Sequence, residues 1–247
     1  MAHGMKRYHY SVSERARHIA RRLRARIFDR SRYALLQYRR TSVSPEGYSY
    51  GAFDKNRCIF VHIPKCAGVS ISKTLFGNLA GGHADISTYQ IVFSPKEFED
   101  YFKFTIVRNP WDRLVSAFLF LTSGGMNERD KRWADEHISQ YKTFQDFVLQ
   151  WLNPDSMKLS AHFRPQCHFI CLGRQNVAVD FVGRYENLEA DFAYICKQLN
   201  VYATLERLNS TSLKRNDFRE YYTDETRLRV SQLYADDIRM LGYSFDS

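Results

Sequence analysis

The sequence predicts an α/β fold in which a parallel sheet is flanked by helices, with a basic helix at the N-terminus. Apolar runs at 58–63 and 102–107 have the length of buried strands, and a helical pattern follows each one. Strands that alternate with helices are typical of parallel sheets covered on both faces. With 247 residues, 44% of them hydrophobic, the chain can bury one large core.

Residues 1–50 comprise an N-terminal arm and a linker, and the arm carries the excess positive charge. Residues 1–40 contain twelve Lys/Arg and two Asp/Glu, whereas the rest of the chain is nearly neutral. Apolar residues recur at helical spacing in the arm, among arginines, and this apolar stripe consists of Ala16, Ile19, Ala20, Leu23, Ile27 and Phe28. Such a helix suits an anionic membrane surface or another polyanion. The alternative is a solvated helix whose stripe packs on the domain or on a second subunit, as in a homodimer.

A turn-rich linker at 41–51 separates the arm from a domain that we expect to span 51–247. Within this domain, Ser94 and Glu97 predict a capping box at the start of a helix. The polar stretch 123–142 predicts an irregular surface excursion. We expect further helices at 68–77, 144–152, 187–199 and 224–240, and further strands at 167–172 and 179–184.

Five scattered cysteines predict small buried side chains in a reducing compartment rather than a disulfide framework. A zinc site could be drawn from Cys167, Cys171, His162 and His168, but their spacing matches no common ligand pattern, so we expect no metal. The arm has no apolar run that could cross a bilayer or form the core of a secretory signal. These features favour a cytoplasmic protein. Association with a membrane surface through the arm is the alternative.

A lone lysine stands at the junction between the first strand and the next helix, in "FVHIPKCAGVSIS" (60–72). Backbone N–H groups and the positive end of the helix dipole converge at such a turn, which makes it an anion site. Lys65 adds a mobile charge, and Gly68 allows close approach of the backbone. Ser70 and Ser72 supply hydroxyls. The order differs from the GxxxxGK[ST] loop of nucleotide triphosphatases, in which the lysine comes near the end.

The second strand ends in a similar way, in "FTIVRNPWDRLVSAF" (104–118). Arg108 follows the strand, Asn109 caps the next helix, and Ser116 lies two turns into it on the side that faces back. An arginine fork binds two oxygens of a terminal phosphate at once. Two such turns on adjacent parallel strands could hold one ligand with two separated anionic groups. We therefore expect Lys65 and Arg108 to converge on opposite ends of one ligand.

These two turns resemble the 5'-phosphosulfate and 3'-phosphate motifs of carbohydrate-type sulfotransferases. This family 2 branch uses 3'-phosphoadenosine 5'-phosphosulfate (PAPS) and is related to the glycosaminoglycan 2-O-sulfotransferases. The likeness rests on "HIPKCAGVSI" and "IVRNPWDRLVSAF" and extends through "HFRPQ" (162–166), "DFVGRYENLEADF" (180–192) and "YYTDETRLRVSQLYADDIRMLGYSF" (221–245). It implies a P-loop-kinase-like sulfotransferase fold, no metal requirement, and transfer of the sulfuryl group to a hydroxyl of a carbohydrate or glycan acceptor.

The resemblance also implies which residues bind the donor, whose spent product is 3',5'-adenosine bisphosphate. The residues implied for the 5' end are Lys65, Cys66, Ala67, Gly68, Val69 and Ser70. Those implied for the 3'-phosphate are Arg108 and Ser116, with Lys214 and Arg215 in a later basic loop. Cys66 stands where the family commonly has threonine or serine, which puts one hydroxyl contact in doubt.

Sulfuryl transfer depends on aligning the nucleophile with the leaving group and on stabilising the charge that develops. Lys65 is expected at the bridging oxygen between phosphate and sulfate, where negative charge grows. The acceptor hydroxyl needs a base, and His83 is our first choice because it resembles the histidine base of the 2-O-sulfotransferases. His162 is the alternative base, with Arg164 available to bind an acidic acceptor, and His168 comes third.

Two other classes of protein compete with this interpretation. A nucleotide-binding, kinase-like enzyme would need the GxxxxGK[ST] order, which is absent. A non-catalytic polyanion-binding protein is favoured only by the arm, because the rest of the chain is nearly neutral, and no specific nucleic-acid recognition is indicated. The sequence does not identify the acceptor, whose contacts we expect in 123–142 and 153–166.

Overall fold

The computed structural model of the chain describes residues 7–173, 175–205 and 216–247. The chain divides into two compact units. Unit one comprises residues 1–63, 67–107 and 168–208, and unit two comprises residues 64–66, 108–167 and 209–247. Lys65 and Arg108 therefore belong to the same unit. The boundary expected between the arm and the domain at residue 50 stays a prediction.

Unit one contains the parallel sheet. Its strands are β1 (Cys58–Val61), β2 (Phe102–Val107) and β3 (Phe181–Arg184), hydrogen-bonded in the order β1–β2–β3. Phe60 pairs with Phe104, which in turn pairs with Phe181, and the rings of Phe60 and Phe104 stack with their centroids 5.0 Å apart. β1 and β2 are buried along almost their whole length, as expected for a parallel sheet covered on both faces. The α/β class and the parallel sheet are confirmed.

Helices make up much of the remaining described chain. In chain order they are α1 (Val12–Phe28), α2 (Arg30–Thr41), α3 (Gly51–Asn56), α4 (Gly68–Phe76), α5 (Ile86–Val92), α6 (Pro95–Asp100), α7 (Pro110–Thr122), α8 (Glu128–His137), α9 (Phe144–Asp146), α10 (Cys167–Ile170), α11 (Leu188–Leu199), α12 (Asp224–Leu233) and α13 (Ala235–Leu241). A π-helix at Phe147–Trp151 continues α9. Short 3-10 turns lie at Ser156–Lys158, Tyr185–Asn187 and Phe218–Tyr221. The capping box of Ser94 and Glu97 is confirmed.

The polar stretch 123–142 is not irregular throughout, because half of it, residues 128–137, forms α8. Asn127 caps this helix by accepting hydrogen bonds from the N–H groups of Arg129 and Asp130, each at 3.0 Å. Ala134 is the buried residue of α8. The helix therefore lacks the broad apolar stripe by which a sequence reveals a helix.

The strand predicted at 167–172 is wrong, because this segment begins with the short helix α10. The N–H groups of Gln166 and Cys167, where this helix begins, donate to the Asp237 carboxylate at 2.7 and 2.8 Å. Asp237 is fully buried. A capping residue 70 positions away leaves no local signal in the sequence, and the apolar run around Cys167 resembled a buried strand instead.

The remaining differences concern where elements begin and end. The terminal helix predicted at 224–240 is two helices, which meet at Tyr234. The Tyr234 hydroxyl donates to the Phe163 carbonyl at 2.6 Å, so this residue is tied to a distant segment rather than to a helix face alone. The strand predicted at 179–184 begins at Phe181.

The N-terminal arm packs on unit one through its polar side. Both α1 and α2 contact α5. The His18 imidazole is fully buried, and its Nε2 donates to the Phe93 carbonyl at 3.0 Å. The apolar stripe faces outward, with Ile19, Leu23 and Ile27 exposed by 46%, 48% and 53%. The alternative in which this stripe packs on the domain is therefore wrong, and its packing on a second subunit stays a prediction.

Burial of His18 predicts a pH-dependent stability. Desolvation lowers the pKa of His18 from 6.5 to about 4, and the Tyr10 hydroxyl donates to its Nδ1 at 2.6 Å. Because the unfolded chain binds more protons than the folded one between these values, stability falls as the pH drops from 6.5 towards 4, by up to about 3 kcal/mol from this group. Chemical denaturation of the wild type and of His18→Gln across this range should give a difference that varies with pH. A difference that stays constant would contradict this account.

Candidate functional site

The chain between β1 and α4, residues 62–67, forms a strained turn that we call the lysine loop. Lys65 and Ala67 have φ angles of 68° and 59°, in the left-handed region that costs a residue with a Cβ about 1 kcal/mol or more. Ala67 precedes α4 and makes no side-chain cap to it. The N–H groups in the first turn of a helix, together with the helix dipole, favour an anion.

Residues of the lysine loop and of the first turn of α4 alternate between buried and partly exposed. Cys66, Gly68 and Ser70 are buried, whereas Lys65, Ala67 and Val69 are partly exposed. Only some of the residues predicted to bind PAPS in this stretch therefore have side chains that solvent can reach. Contacts of the buried ones with a ligand would be made through the backbone, as expected where Cys66 replaces a hydroxyl residue.

Arg108 directly follows β2 and reaches the lysine loop within unit two. One of its Nη groups donates to the Lys65 carbonyl at 3.1 Å. Its Nε donates to the Asp112 carboxylate at 2.6 Å, and both side chains are largely buried. The residues predicted to bind the two ends of one ligand are thus brought together.

One face of α7 connects the two charges. Asp112, Ser116 and Phe120 follow each other at intervals of four residues and so lie on the same side of this helix. Asp112 holds Arg108 at one end, and the Lys65 ammonium lies 3.7 Å from the centre of the Phe120 ring at the other. The contact with Phe120 is a cation–π interaction. The predicted Ser116 lies between the two, partly exposed.

Gln166 joins the two motifs, and the sequence assigned it no role although it lies in "HFRPQ". Its side chain is fully buried and bonds the backbone of Arg108 twice, accepting from the N–H at 2.9 Å and donating to the carbonyl at 2.8 Å. The Cys66 thiol also lies 3.5 Å from its Oε1. Because the Asp237 carboxylate fixes the backbone of Gln166 in turn, this amide sets the position of Arg108 relative to the lysine loop.

Replacement of Gln166 by leucine should therefore weaken ligand binding as well as stability. The substitution removes two bonds to the buried backbone of Arg108, and the loss of such a bond inside a protein costs about 1–3 kcal/mol. We expect binding of 3',5'-adenosine bisphosphate, measured by calorimetry, to weaken by about tenfold or more. The matched control is Gln145→Leu, which removes a single 3.2 Å bond to the Tyr221 carbonyl and should leave the affinity unchanged. Equal affinities of the two variants would contradict a positioning role for Gln166.

His162 and Arg164 are held on the same unit by Arg113. This arginine is almost fully buried, and it donates to the His162 carbonyl at 3.1 Å and to the Arg164 carbonyl at 2.6 Å. The His162 ring stacks on Phe120 with centroids 5.3 Å apart. Phe120 therefore contacts both the Lys65 ammonium and the His162 imidazole.

His83 lies in unit one, where it packs against His62 with ring centroids 4.5 Å apart. His62 also packs against Gly68, where a Cβ would overlap with the imidazole, so only glycine fits. The Nδ1 of His83 lies 3.3 Å from the His62 carbonyl oxygen. Since a carbonyl can only accept, Nδ1 carries the proton of the neutral ring and Nε2 is its basic nitrogen.

Of the remaining predicted residues, two lie outside the described part of the chain and one is exposed. Lys214 and Arg215 lie outside the described residues, so their proposed contacts stay predictions. His168 is an exposed residue of α10. In the part of the chain that the structure describes, no three His, Cys, Asp or Glu side chains are grouped as metal ligands would be.

The sequence model of the sulfotransferase family matches residues 50–244 of the chain. The chain belongs to the sulfotransferase family. The matched region of this chain includes the lysine loop, Arg108, α7 and Gln166. The residues that make the contacts described above for unit two thus lie inside the region that matches the family.

Curated relatives of this sulfotransferase match it only in part. "Carbohydrate sulfotransferase 14" of Homo sapiens is 30% identical over 56% of this chain and 43% of its own length. "Carbohydrate sulfotransferase 10" of Rattus norvegicus is 24% identical over 77% of this chain and 65% of its own length. An uncharacterized protein of Archaeoglobus fulgidus is 30% identical over 47% of this chain and 83% of its own length. The chain spans about half of the length of the human relative.

Proposed function

We propose that this sulfotransferase moves the sulfuryl group of PAPS to a hydroxyl of a carbohydrate or glycan acceptor. The observation that carries the proposal is the contact of Arg108 with the Lys65 carbonyl, beside a face of α7 that extends from Asp112 to Phe120. The family implies PAPS as the donor. The relatives named carbohydrate sulfotransferases support a carbohydrate acceptor.

The chemistry of the residues fits a nucleotide with anionic groups at both ends. Asp112 holds the Nε side of the Arg108 guanidinium, which orients its Nη groups for a bidentate contact with the 3'-phosphate. Ser116 adds a hydroxyl from the same face of α7. At the 5' end, the first N–H groups of α4 and the strained backbone of the lysine loop bind phosphate oxygens.

PAPS, when bound, supplies an activated sulfuryl group that leaves a phosphate behind. Lys65 stabilises the negative charge that grows on the bridging oxygen, and it does so as a point charge that Phe120 holds in place. The main contribution of the protein is alignment of the two reacting groups, since such transfers leave little covalent work to side chains.

His83 is proposed as the base that takes the proton of the acceptor hydroxyl. The support is its tautomer: a ring whose Nδ1 donates to the His62 carbonyl has Nε2 as its proton acceptor. His162 is the second candidate, because it stacks on the same Phe120 ring that holds the Lys65 ammonium. Arg164 is proposed to bind an acidic group of the acceptor.

A thermal-shift panel separates this proposal from its competitors. 3',5'-Adenosine bisphosphate should raise the melting temperature of the full chain without magnesium, and ATP without magnesium should raise it less, because it lacks a 3'-phosphate. Stabilisation by ATP with magnesium alone would favour a kinase-like enzyme. Stabilisation by heparin alone would favour a polyanion-binding protein.

A turnover assay then tests the reaction and identifies the acceptor class. The chain is incubated with labelled PAPS and a glycan library, and sulfated products are read by mass spectrometry. Incorporation of sulfate into a sugar hydroxyl is the expected result, whereas release of sulfate without any labelled glycan would contradict a carbohydrate acceptor. The cytoplasmic location and the homodimer stay predictions that neither assay addresses.

A further inference from the structure

The N-terminal helix α1 has an unusual orientation, because it contacts the protein through polar residues. His18 is fully buried and bonds the Phe93 carbonyl, and Arg21 bonds the side chain of Gln90. Ala25 completes this inner face. The helix is therefore held on unit one without using the apolar stripe that runs along it.

The outer face of α1 is an exposed apolar strip bordered by arginines. Ile19, Leu23 and Ile27 are about half exposed, at 46%, 48% and 53%. Val12 and Phe28, at the two ends of the helix, are 89% and 81% exposed. With a rotation of about 100° per residue, the arginines fall on both sides of this strip: Arg15, Arg22 and Arg26 on one side, and Arg17 and Arg24 on the other. This is the arrangement of helices that lie in the plane of a membrane interface.

We propose that α1 binds the surface of an anionic lipid bilayer, with its apolar strip inserted among the headgroups and its arginines on the lipid phosphates and carboxylates. In the described part of the chain, no helix is long and apolar enough to cross a membrane. The contact with the bilayer is independent of the sulfuryl transfer proposed above, since it uses neither the lysine loop nor α7.

Charge and shape favour a bilayer over the other occupants of this face. A second copy of the chain would bring two strongly basic arms together, because residues 1–40 hold twelve Lys/Arg against two Asp/Glu. A linear polyanion would leave the apolar strip in water, whereas a bilayer interface covers both the strip and the charges. A shallow groove beside the strip, lined by Ile19, Arg22, Leu23, Arg26, Tyr33 and Pro95, extends the apolar surface towards α2.

The test is sedimentation of the full chain with sucrose-loaded vesicles, of phosphatidylcholine alone or mixed with phosphatidylserine. We expect partition onto the mixed vesicles to be at least about tenfold stronger, and to fall as salt is raised. The triple variant Ile19→Ser, Leu23→Ser, Ile27→Ser should lose most of this binding. The matched control is Leu159→Ser with Leu228→Ser, two leucines outside the arm that are 56% and 61% exposed, and it should bind as the wild type does.

A second variant keeps the proposal testable if the triple variant fails to fold. Arg17→Gln with Arg24→Gln changes only exposed charges on one border of the strip, and it should reduce both the partition and its salt dependence. Equal partition of the wild type onto both kinds of vesicle would overturn the proposal. The proposal would also be overturned if sedimentation analysis showed that the wild type is a dimer and the triple variant a monomer. A second copy of the chain would then cover this face. A third result would also overturn it: the wild type does not bind vesicles, and the triple variant still binds heparin. The arm would then be a polyanion-binding site instead.

Discussion

Lys65→Met should lower turnover with PAPS by about 100- to 1,000-fold, the range observed when one electrostatic contact to a developing charge is removed. Binding of 3',5'-adenosine bisphosphate should weaken by less than about tenfold, because the backbone of the lysine loop and Arg108 still hold the nucleotide. Single-turnover assays with labelled PAPS give the rate, and calorimetric titration gives the affinity.

The control for Lys65 is Lys96→Met, which removes an exposed lysine that forms an ion pair with Asp100 at 2.6 Å. It should leave both rate and affinity unchanged, because exposed ion pairs contribute little. A Lys65 variant that loses affinity and rate by the same factor would show that the lysine binds the donor without acting on the leaving group. Normal turnover would remove Lys65 from the mechanism.

His83→Ala should lower turnover by about 100- to 10,000-fold, the usual contribution of a positioned general base, and should leave bisphosphate binding intact. In the wild type the rate should fall at low pH as the base becomes protonated, and the variant should lose this acidic limb of the profile. Added imidazole should restore part of the rate, because it can enter the space left by the side chain and take the proton.

His162→Ala is the direct comparison for this experiment. If His83 is the base, His162→Ala should keep the acidic limb and change mainly the acceptor KM, since His162 lies beside Phe120 in unit two. Loss of the acidic limb in His162→Ala, with normal turnover of His83→Ala, would assign the base to His162 instead. The two variants therefore decide between the two histidines.

The sequence predicts those parts of the fold whose causes are local. The pattern predicts a strand at 102–107 and β2 occupies Phe102–Val107, because a run with four apolar residues out of six is followed closely by a capped helix. The turns that carry Lys65 and Arg108 follow from similar local patterns, since each lies between a strand and a helix. That these turns bind an anion stays a prediction. Their contact through the Lys65 carbonyl needed only that the two strands be neighbours.

The parts that could not be predicted depend on residues far apart in the sequence. Gln166 bonds the Arg108 backbone from 58 positions away, and Asp237 caps α10 from 70 positions away. No periodicity or spacing reports such pairs. The same limit applies to α1: the sequence shows an apolar stripe, but only the contacts of the buried His18 show that the stripe faces away from the protein.

The central claim is that Lys65 and Arg108 bind opposite ends of one nucleotide, and a comparison of two ligands on Arg108→Gln tests it most directly. Calorimetric titration of the wild type and this variant is done with 3',5'-adenosine bisphosphate and with 5'-AMP, which lacks the 3'-phosphate. We predict that the substitution weakens the bisphosphate by at least about tenfold, consistent with loss of a bidentate charged contact, and 5'-AMP by less than about twofold. Equal weakening of both ligands, or of neither, would contradict the claim.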